Sequence, residues 1–225
     1  SKVLNDIKLY YIEYFDYFMN QKNSLGLDSC FKDLDSPFEL FKIWMSEAEK
    51  KEIKDPTALS LATVNSKGQP NVRMVLLKDL SSKGFVFYTN LNSQKSQDLK
   101  ENPRAAMCFH WKSFNRQIRI LGKVIQVGQE EANYYFNSRP YESRISAWAS
   151  DQSNTMKDRS ELLNKIEDYK KKYKKEKNIP RPPYWSGWCL MPLSIEFWLH
   201  RESRIHERLR YYKTAEGWEK EILYP

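Results

Sequence analysis

The stretch NVRMVLLKDL, residues 71–80, brackets four apolar residues, Met74 to Leu77, with two cations, Arg73 and Lys78. It reads as an extended strand. In such a strand successive side chains point to opposite faces, so Arg73 and Lys78, five apart, face opposite ways. At about 3.3 Å per residue they lie roughly 16 Å apart. One phosphate is not easily clamped by both, whereas two different anions, one per cation, could be held.

Outward from this strand the pattern repeats. After Pro56 the chain runs through ALSLATVN (58–65), VRMVLL (72–77), GFVFYTN (84–90), AAMCFHW (105–111) and RQIRILGKVIQV (116–127). Turn signals separate them, notably Lys67-Gly68, Lys83-Gly84 and Asn102-Pro103. Further strands are expected near Ser194 to Leu199, Arg208 to Tyr212 and Trp218 to Leu223. A helix is expected over SPFELFKIWMSEAEKKE (36–52), with Ser36 as N-cap, Pro37 in the first turn and Glu39 completing a capping box. A short helix is expected around Asn92 to Glu101, capped by Ser93. Two more are expected over Glu130 to Ser138 and Ser160 to Asn178, interrupted by Pro140. On the last, Leu162, Ile166, Tyr169 and Tyr173 form one apolar stripe and the lysines take the other side. Short strands with few helices between them favour a mostly antiparallel barrel over a βαβ sheet. The expected fold class is mainly β with flanking helices, with residues 1–35 as an N-terminal helical extension and 36–225 as a single domain.

The 225 residues suffice for a real core, and an aromatic share of 14% points to an aromatic-rich core or interface. No apolar run approaches the roughly 18 residues of a membrane span, and the N-terminus does not read as a signal peptide. Cys30, Cys108 and Cys189 are scattered, without metal spacing, and suit a reducing cytosol as ordinary buried thiols. The net charge of +8 invites a nucleic-acid partner. Ten Lys/Arg against five Asp/Glu between Lys157 and Arg181 contribute +5 of it, so the excess is local. The aromatics of that helix fall on its apolar face and not among the lysines, where stacking platforms would need them. His110, His200 and His206 form no metal pair at helical spacing, and no metal is expected. Glycine-rich phosphate loops and nucleophile elbows are absent too.

Four anion-binding constellations remain. The first is Arg73 with Lys78, competing with a strand that has two solvated ends. The second is YTNLNSQKS (88–96), where Tyr88 and Thr89 end a strand and a helix starts near Ser93 with Lys95 in its first turn, a plausible phosphate cup or a simple N-cap. The third is YYFNSRPYES (134–143): Tyr135 and Arg139 share a helix face at i and i+4, and Ser143 follows Pro140. Its alternative is a core tyrosine and a surface ion pair. The fourth is EFWLHRESRIHER (196–208), where Arg204, His206 and Arg208 alternate and would share one face of an extended segment, or form a solvated, twisted edge.

Taken in order, these stretches resemble the pyridoxine (pyridoxamine) 5′-phosphate oxidase family. The carrying pieces are RMVLLK, FYTNLNSQKS, NRQIRILG, YYFNSRPYES, SAWASDQS, WSGW, IEFW and RIHER, running from about Ser36 to the C-terminus, while the first 35 residues match poorly. The resemblance implies an FMN-binding split β-barrel of antiparallel Greek-key type. It also implies a cytoplasmic homodimer with two FMN sites at the interface. The implied activity is oxidation of pyridoxine and pyridoxamine 5′-phosphates to pyridoxal 5′-phosphate, by hydride transfer to FMN and reoxidation by O2. It implies that Arg73 binds the FMN phosphate, that the backbone of Met74, Val75, Leu76 and Leu77 passes the flavin, and that Lys78 faces the substrate. Tyr88, Thr89, Lys95, Gln117, Gln152, Ser153, Trp198 and Arg208 would complete the cofactor site. Lys78, Tyr135, Arg139 and Ser143 would take the substrate phosphate, with Arg204, Ile205 and His206 at the pyridine ring and Arg204 and His206 acting there. The opposite parity of Arg73 and Lys78 would then serve two phosphates from one strand.

The chain departs from the family pattern at four places. Gln94 stands where an arginine is usual. Leu199-His200-Arg201 replaces a glycine-containing segment, Glu207 replaces an aspartate, and Ile222 stands where an arginine is common. These departures keep open a split-barrel flavoprotein that binds FMN but has lost this substrate. The third alternative is a basic nucleic-acid-binding protein acting through Lys170 to Lys177.

Overall fold

The computed structural model describes residues 23–52, 54–174 and 178–225. Among the described residues nine strands are formed: β1 Ala58–Val64, β2 Pro70–Leu76, β3 Asp79–Leu80, β4 Phe85–Asn90, β5 Arg104–Trp111, β6 Arg116–Gln126, β7 Trp185–Leu199, β8 Glu207–Lys213 and β9 Trp218–Leu223. The helices among the same residues are α1 Pro37–Lys51, α2 Gln94–Glu101, α3 Gln129–Ser138, α4 Tyr141–Ala149 and α5 Arg159–Tyr173. The fold class is mainly antiparallel β with flanking helices, as expected. Among the described residues, no helix is long and apolar enough to cross a membrane.

The chain divides into two compact units. One comprises residues 57–110 and 119–194. Its strands follow the order β2-β1-β5-β6-β7-β4-β3. β1 pairs antiparallel with both β2 and β5, and β4 with both β3 and β7. Alternation shows which face each strand buries. In β1 every second residue is buried, while β4 is buried on both faces for most of its length. Two glycines let β7 approach closely: a Cβ at Gly84 would lie 2.0 Å from the Leu190 carbonyl oxygen, and one at Gly122 would lie 2.1 Å from that of Met191. Behind the sheet, Phe136, Ile145, Ala147, Tyr173, Ile179 and Trp185 form a core cluster. Ile166 and Tyr169 of the expected α5 stripe pack against it.

The other unit comprises residues up to Pro56, Trp111–Ile118 and Ile195–Pro225. Here β8 pairs with β7 and β9. Helix α1 buries Leu40, Phe41, Trp44, Met45 and Ala48 at helical spacing. Its aromatic core runs from Phe31 to Trp44 (5.4 Å between ring centroids), to Phe197 (5.1 Å) and to Tyr211 (5.9 Å), each pair edge to face. Such pairs add about 0.5–1.5 kcal/mol beyond their area burial.

Several local expectations need correction. Of the N-terminal helical extension, residues 1–22 lie outside the described residues, and 23–35 form turns held by Asn23 and Asp28, not a helix. Ser36 does cap α1, but through its backbone oxygen, which accepts from Glu39 N–H at 3.2 Å; no side-chain cap bond forms. The helix expected through Asn178 ends at Tyr173, with 175–177 outside the described residues. Helix α4 was not anticipated: Pro140 does not merely interrupt, because its fixed φ also begins a new helix. The strand expected from Ser194 starts at Trp185. Of the thiols, Cys189 is buried and Cys30 and Cys108 are half-buried.

Candidate functional site

The decisive strand ends where the site begins. Along β2, Asn71, Arg73 and Val75 lie half-buried on one face, whereas Val72, Met74 and Leu76 are exposed on the other. The alternation continues past the strand end, with Leu77 buried and Lys78 exposed. Leu77 N–H still donates toward β1, to Thr57 O at 2.9 Å, but Lys78 N–H donates to Val86 O of β4 at 2.9 Å. The chain thus switches partners between these two residues. That carries Lys78 to the rim of a cavity of about 230 Å³, lined also by Met74, Val75, Leu76, Tyr88, Thr89, Lys95, Tyr135, Arg139, Gln152 and Trp185. An adjoining cavity shares Tyr88, Thr89, Arg139, Gln152 and Trp185 and adds Ser143. Arg73 lines neither, although Val75, on the same face of β2, lines the first.

Three elements supply the aromatic wall. Tyr88 of β4, Tyr135 of α3 and Trp185 of β7 stack nearly parallel, Tyr88 lying 4.0 Å from Tyr135 and 5.4 Å from Trp185 between centroids. The Arg139 guanidinium lies over the Trp185 ring at 4.6 Å, a cation–π contact that holds it at the pocket wall. Its NH1 is buried without a hydrogen-bond partner, and burial draws its pKa down against the opposing pull of Tyr135. An orphaned buried donor costs about 1–3 kcal/mol, more when charged, so an acceptor arriving there is strongly favoured. Arg139 leaves the helix it was expected to share with Tyr135. It is the C-cap of α3 in extended backbone, because the following proline disfavours helical geometry.

Lys95 is the second cation without a carboxylate. It is 7% exposed, and its Nζ donates to the hydroxyls of Thr89 (3.0 Å) and Ser93 (3.3 Å). Burial, reinforced by the nearby charge of Arg73, brings its pKa down to about 8. The Thr89 hydroxyl donates in turn to Gln152 Oε1 at 3.0 Å. Ser93 does not cap α2 with its side chain, because its hydroxyl donates back to Asn90 O at 2.7 Å. The Ser153 hydroxyl, on a left-handed residue, accepts instead from Gln94 N–H at 3.2 Å. Gln152 and Ser153 therefore join the helix start from a distant loop.

Arg73 behaves differently. Its NH1 donates to Thr63 Oγ1 (2.7 Å) and Leu61 O (3.1 Å), and its NH2 is 3.8 Å from Asp98 Oδ2. Asp98 is almost fully buried. Burial raises its pKa, but donors from Thr63 (2.6 Å), Gln94 (2.8 Å) and Asn71 (3.1 Å) and the Arg73 charge together lower it. No sequence signal marked Asp98, which lies on a helix turn facing inward. Trp185 was visible in WSGW without a role, and its stacking partners come from two other elements.

The remaining expected residues fall in the other unit. Trp198 stacks at a tilt on His206 (4.7 Å), and His206 on His200 (4.9 Å). Arg204, His206 and Arg208 do not alternate along one extended face as expected. Residues Glu202–Arg204 form a 3-10 turn in which Ser203 and Arg204 both have left-handed φ (53° and 61°). Two non-glycine residues in that region cost of order 1–3 kcal/mol each and need local support. Arg208 is held by Glu196 at 2.7 and 3.2 Å. Gln117 is half-buried on β6.

Comparison with known proteins follows the same outline. Residues 45–173 match the family model described as pyridoxamine 5′-phosphate oxidase, and residues 185–225 match the pyridoxine 5′-phosphate oxidase C-terminal dimerisation region. A pyridoxine/pyridoxamine 5′-phosphate oxidase of Pelagibacter ubique is 60% identical over 208 residues, covering 92% of this chain and all of that protein. One from Bartonella quintana is 50% identical over 206 residues, covering 90% and 99%. Among solved structures, PhzG of Burkholderia lata in complex with tetrahydrophenazine-1-carboxylic acid superposes with a TM-score of 0.82 at 28% identity, covering 88% of this chain and 97% of that one. A pyridoxamine 5′-phosphate oxidase-related, FMN-binding protein of Nostoc punctiforme shares the fold at a TM-score of 0.67 and 16% identity, covering 84% and 98%. These likenesses bear out the split-barrel fold class and flavin use. Two family models spanning most of the residues and relatives at 50–60% identity agree: the chain belongs to the pyridoxine/pyridoxamine 5′-phosphate oxidase family.

Proposed function

We infer that the protein oxidises pyridoxine 5′-phosphate and pyridoxamine 5′-phosphate to pyridoxal 5′-phosphate, with FMN as its cofactor and O2 as final electron acceptor. The observation that carries the site assignment is a pocket gathering Lys78, Lys95 and Arg139 with no Asp or Glu among its described lining residues. A buried ammonium with only hydroxyl partners and a buried guanidinium nitrogen with none suit anionic ligands. Those donors fit phosphate groups.

In this reading Arg73 and Lys95 hold the FMN phosphate. Tyr88, Thr89, Gln117, Gln152, Ser153, Trp198 and Arg208 complete the cofactor site, and the backbone of 74–77 passes the ring. Bound there, FMN would supply the two-electron acceptor that the protein's own side chains lack. Lys78, Tyr135, Arg139 and Ser143 take the substrate phosphate. Fixing that end limits where the C4′ carbon can lie, which is the orientational part of the rate. Arg204, Ile205 and His206 face the pyridine ring, where Arg204 and His206 orient it and balance charge. We assign a homodimer with two sites at the interface. The exposed apolar row Val72, Met74 and Leu76, beside the pocket's own lining, suits burial by a second copy. A reducing cytoplasm suits Cys30, Cys108 and Cys189 as thiols outside any disulfide.

An absorbance spectrum of the purified protein, followed by an oxidase assay on both phosphorylated substrates, tests the reading. A flavin spectrum with turnover of both is expected. A flavin spectrum without turnover of either would mean that this chain keeps the cofactor and has lost the substrate.

A further inference from the structure

The segment between Asp28 and Phe31 has no role in the reading above, yet it is tied to the loop that carries His206. Arg201 is the centre of the tie. Its NH2 donates to Asp28 Oδ2 at 2.6 Å and its Nε donates to Glu207 Oε1 at 3.1 Å. The other oxygen of Glu207 accepts from the main-chain N–H of Asp28 at 2.7 Å, which closes a ring of three residues. Asp28 is fixed in turn, because its Oδ1 accepts from Cys30 N–H at 2.8 Å. Glu207 is 8% exposed, so this ring is partly shielded from water and salt.

The backbone of the same Arg201 does something separate. Its N–H donates to Nδ1 of His206 at 3.0 Å. A main-chain N–H can only donate, so Nδ1 carries no proton in this geometry and the neutral ring is protonated at Nε2. The bond disfavours protonation of Nδ1. Burial and the charges of His200 and Arg204 act in the same direction and draw the His206 pKa below its ordinary value. Arg201 and Glu207, which flank the loop, are ion-paired with each other, and Arg201 also with Asp28, so the ring of three keeps one negative charge in excess. The loop needs such support, since Ser203 and Arg204 are both held at left-handed φ between the two anchors, Arg201 and Glu207.

We propose that Asp28 and Arg201 are positioning residues for the oxidase reaction. Their ion pair, completed by Glu207, holds residues 201–206 so that the Arg201 N–H fixes the tautomer of His206. The proposal rests on the assignment of His206 to the substrate ring, and the test separates the two.

The test uses the flavin-loaded protein. Asp28→Asn keeps an oxygen for Cys30 N–H and the main-chain bond to Glu207, and replaces the charged acceptor facing Arg201 NH2 with an amide NH2. Arg201→Lys retains a cation but loses the two-pronged grip, and serves as the conservative companion. The first measurement is the pair of ring ¹⁵N shifts of His206, followed against pH. In the parent, Nε2 should carry the proton and Nδ1 should read as an acceptor. In Asp28→Asn the two tautomers should mix and the titration midpoint should rise. The second measurement is kcat/KM, expected to fall roughly ten- to a hundredfold, with partial recovery in Arg201→Lys and flavin content unchanged. Parent-like ¹⁵N shifts and midpoint in a folded Asp28→Asn protein would overturn the proposal, whatever the activity does. Shifted nitrogens with unchanged kcat/KM would support the positioning and instead remove His206 from the substrate ring.

Discussion

The pocket bounded by Lys78, Lys95 and Arg139 and the C-terminal strands are both rich in cations, but they treat charge in opposite ways. Along β8 and its surroundings the arginines meet carboxylates: Arg201 meets Asp28 and Glu207, Arg208 meets Glu196, and Arg210 meets Glu221. In the pocket Lys95 has hydroxyls, Arg139 has a ring face and an empty nitrogen, and no described carboxylate lines the wall. Both arrangements are basic by composition. The difference is that one set of charges is neutralised on folding and the other is kept for something that arrives later. Net charge alone could not have told them apart.

If that contrast is right, Arg139→Ala should have the largest effect. It removes a half-buried guanidinium whose buried NH1 lacks a partner, and the KM for phosphorylated substrate should rise roughly tenfold to a hundredfold, from about 1.5–3 kcal/mol per charged hydrogen bond. Flavin content should hold. Comparing phosphorylated with unphosphorylated substrate checks it, and an equal penalty on both would make Arg139 a scaffold residue after all.

The next effect separates Arg73 from Lys78. Lys78→Ala should raise KM about tenfold with flavin retained, because it removes only substrate binding. Arg73→Ala should weaken FMN and also lower the melting temperature, since it takes a cation from the buried Asp98. Flavin titration and thermal melts on both variants decide this. Identical profiles would mean that strand parity does not divide the two anions.

A milder effect follows from Lys95. In the free protein its ammonium is lost as pH rises through about 8, whereas a bound phosphate should keep it protonated to higher pH. The complex then binds more protons than the free protein above pH 8, so the FMN Kd should climb with pH, by at most tenfold per unit. Titrations between pH 7.5 and 9.5 should show this slope, and Lys95→Met should flatten it.

Gln94→Arg should matter least. An arginine at this position would suit a phosphate, but Gln94 Nε2 already donates to Asp98 Oδ1 at 2.8 Å. A new guanidinium would meet that carboxylate first, so FMN affinity should improve by no more than a few-fold. A hundredfold gain would show that Asp98 does not compete.

Much of this was legible before any coordinates. The period-two alternation of NVRMVLLK survives in the structure, and the motif positions Tyr88, Thr89, Lys95, Tyr135, Arg139 and Gln152 converge on one cavity. Local patterns reveal what repeats locally. They did not reveal Asp98, whose partners Thr63, Asn71 and Arg73 come from two strands. They misjudged 202–206, where consecutive left-handed residues replace an extended edge, because nothing short of the Arg201 anchor favours that backbone. Helix α4 was hidden behind Pro140, a residue that ends one helix and starts another with the same fixed torsion.

The close approach of β7 to Gly84 and Gly122 has a consequence for how this sequence can drift. With seven glycines in 225 residues, the chain has placed two where even a methyl group would collide with the backbone carbonyls of Leu190 and Met191. Backbone cannot step aside as a side-chain tip can. In a library covering every substitution, those two columns should be nearly blank, while Gly128, with open space around it and no left-handed φ, should tolerate more replacements. Selection on this protein would therefore be strictest at positions that touch neither ligand nor solvent.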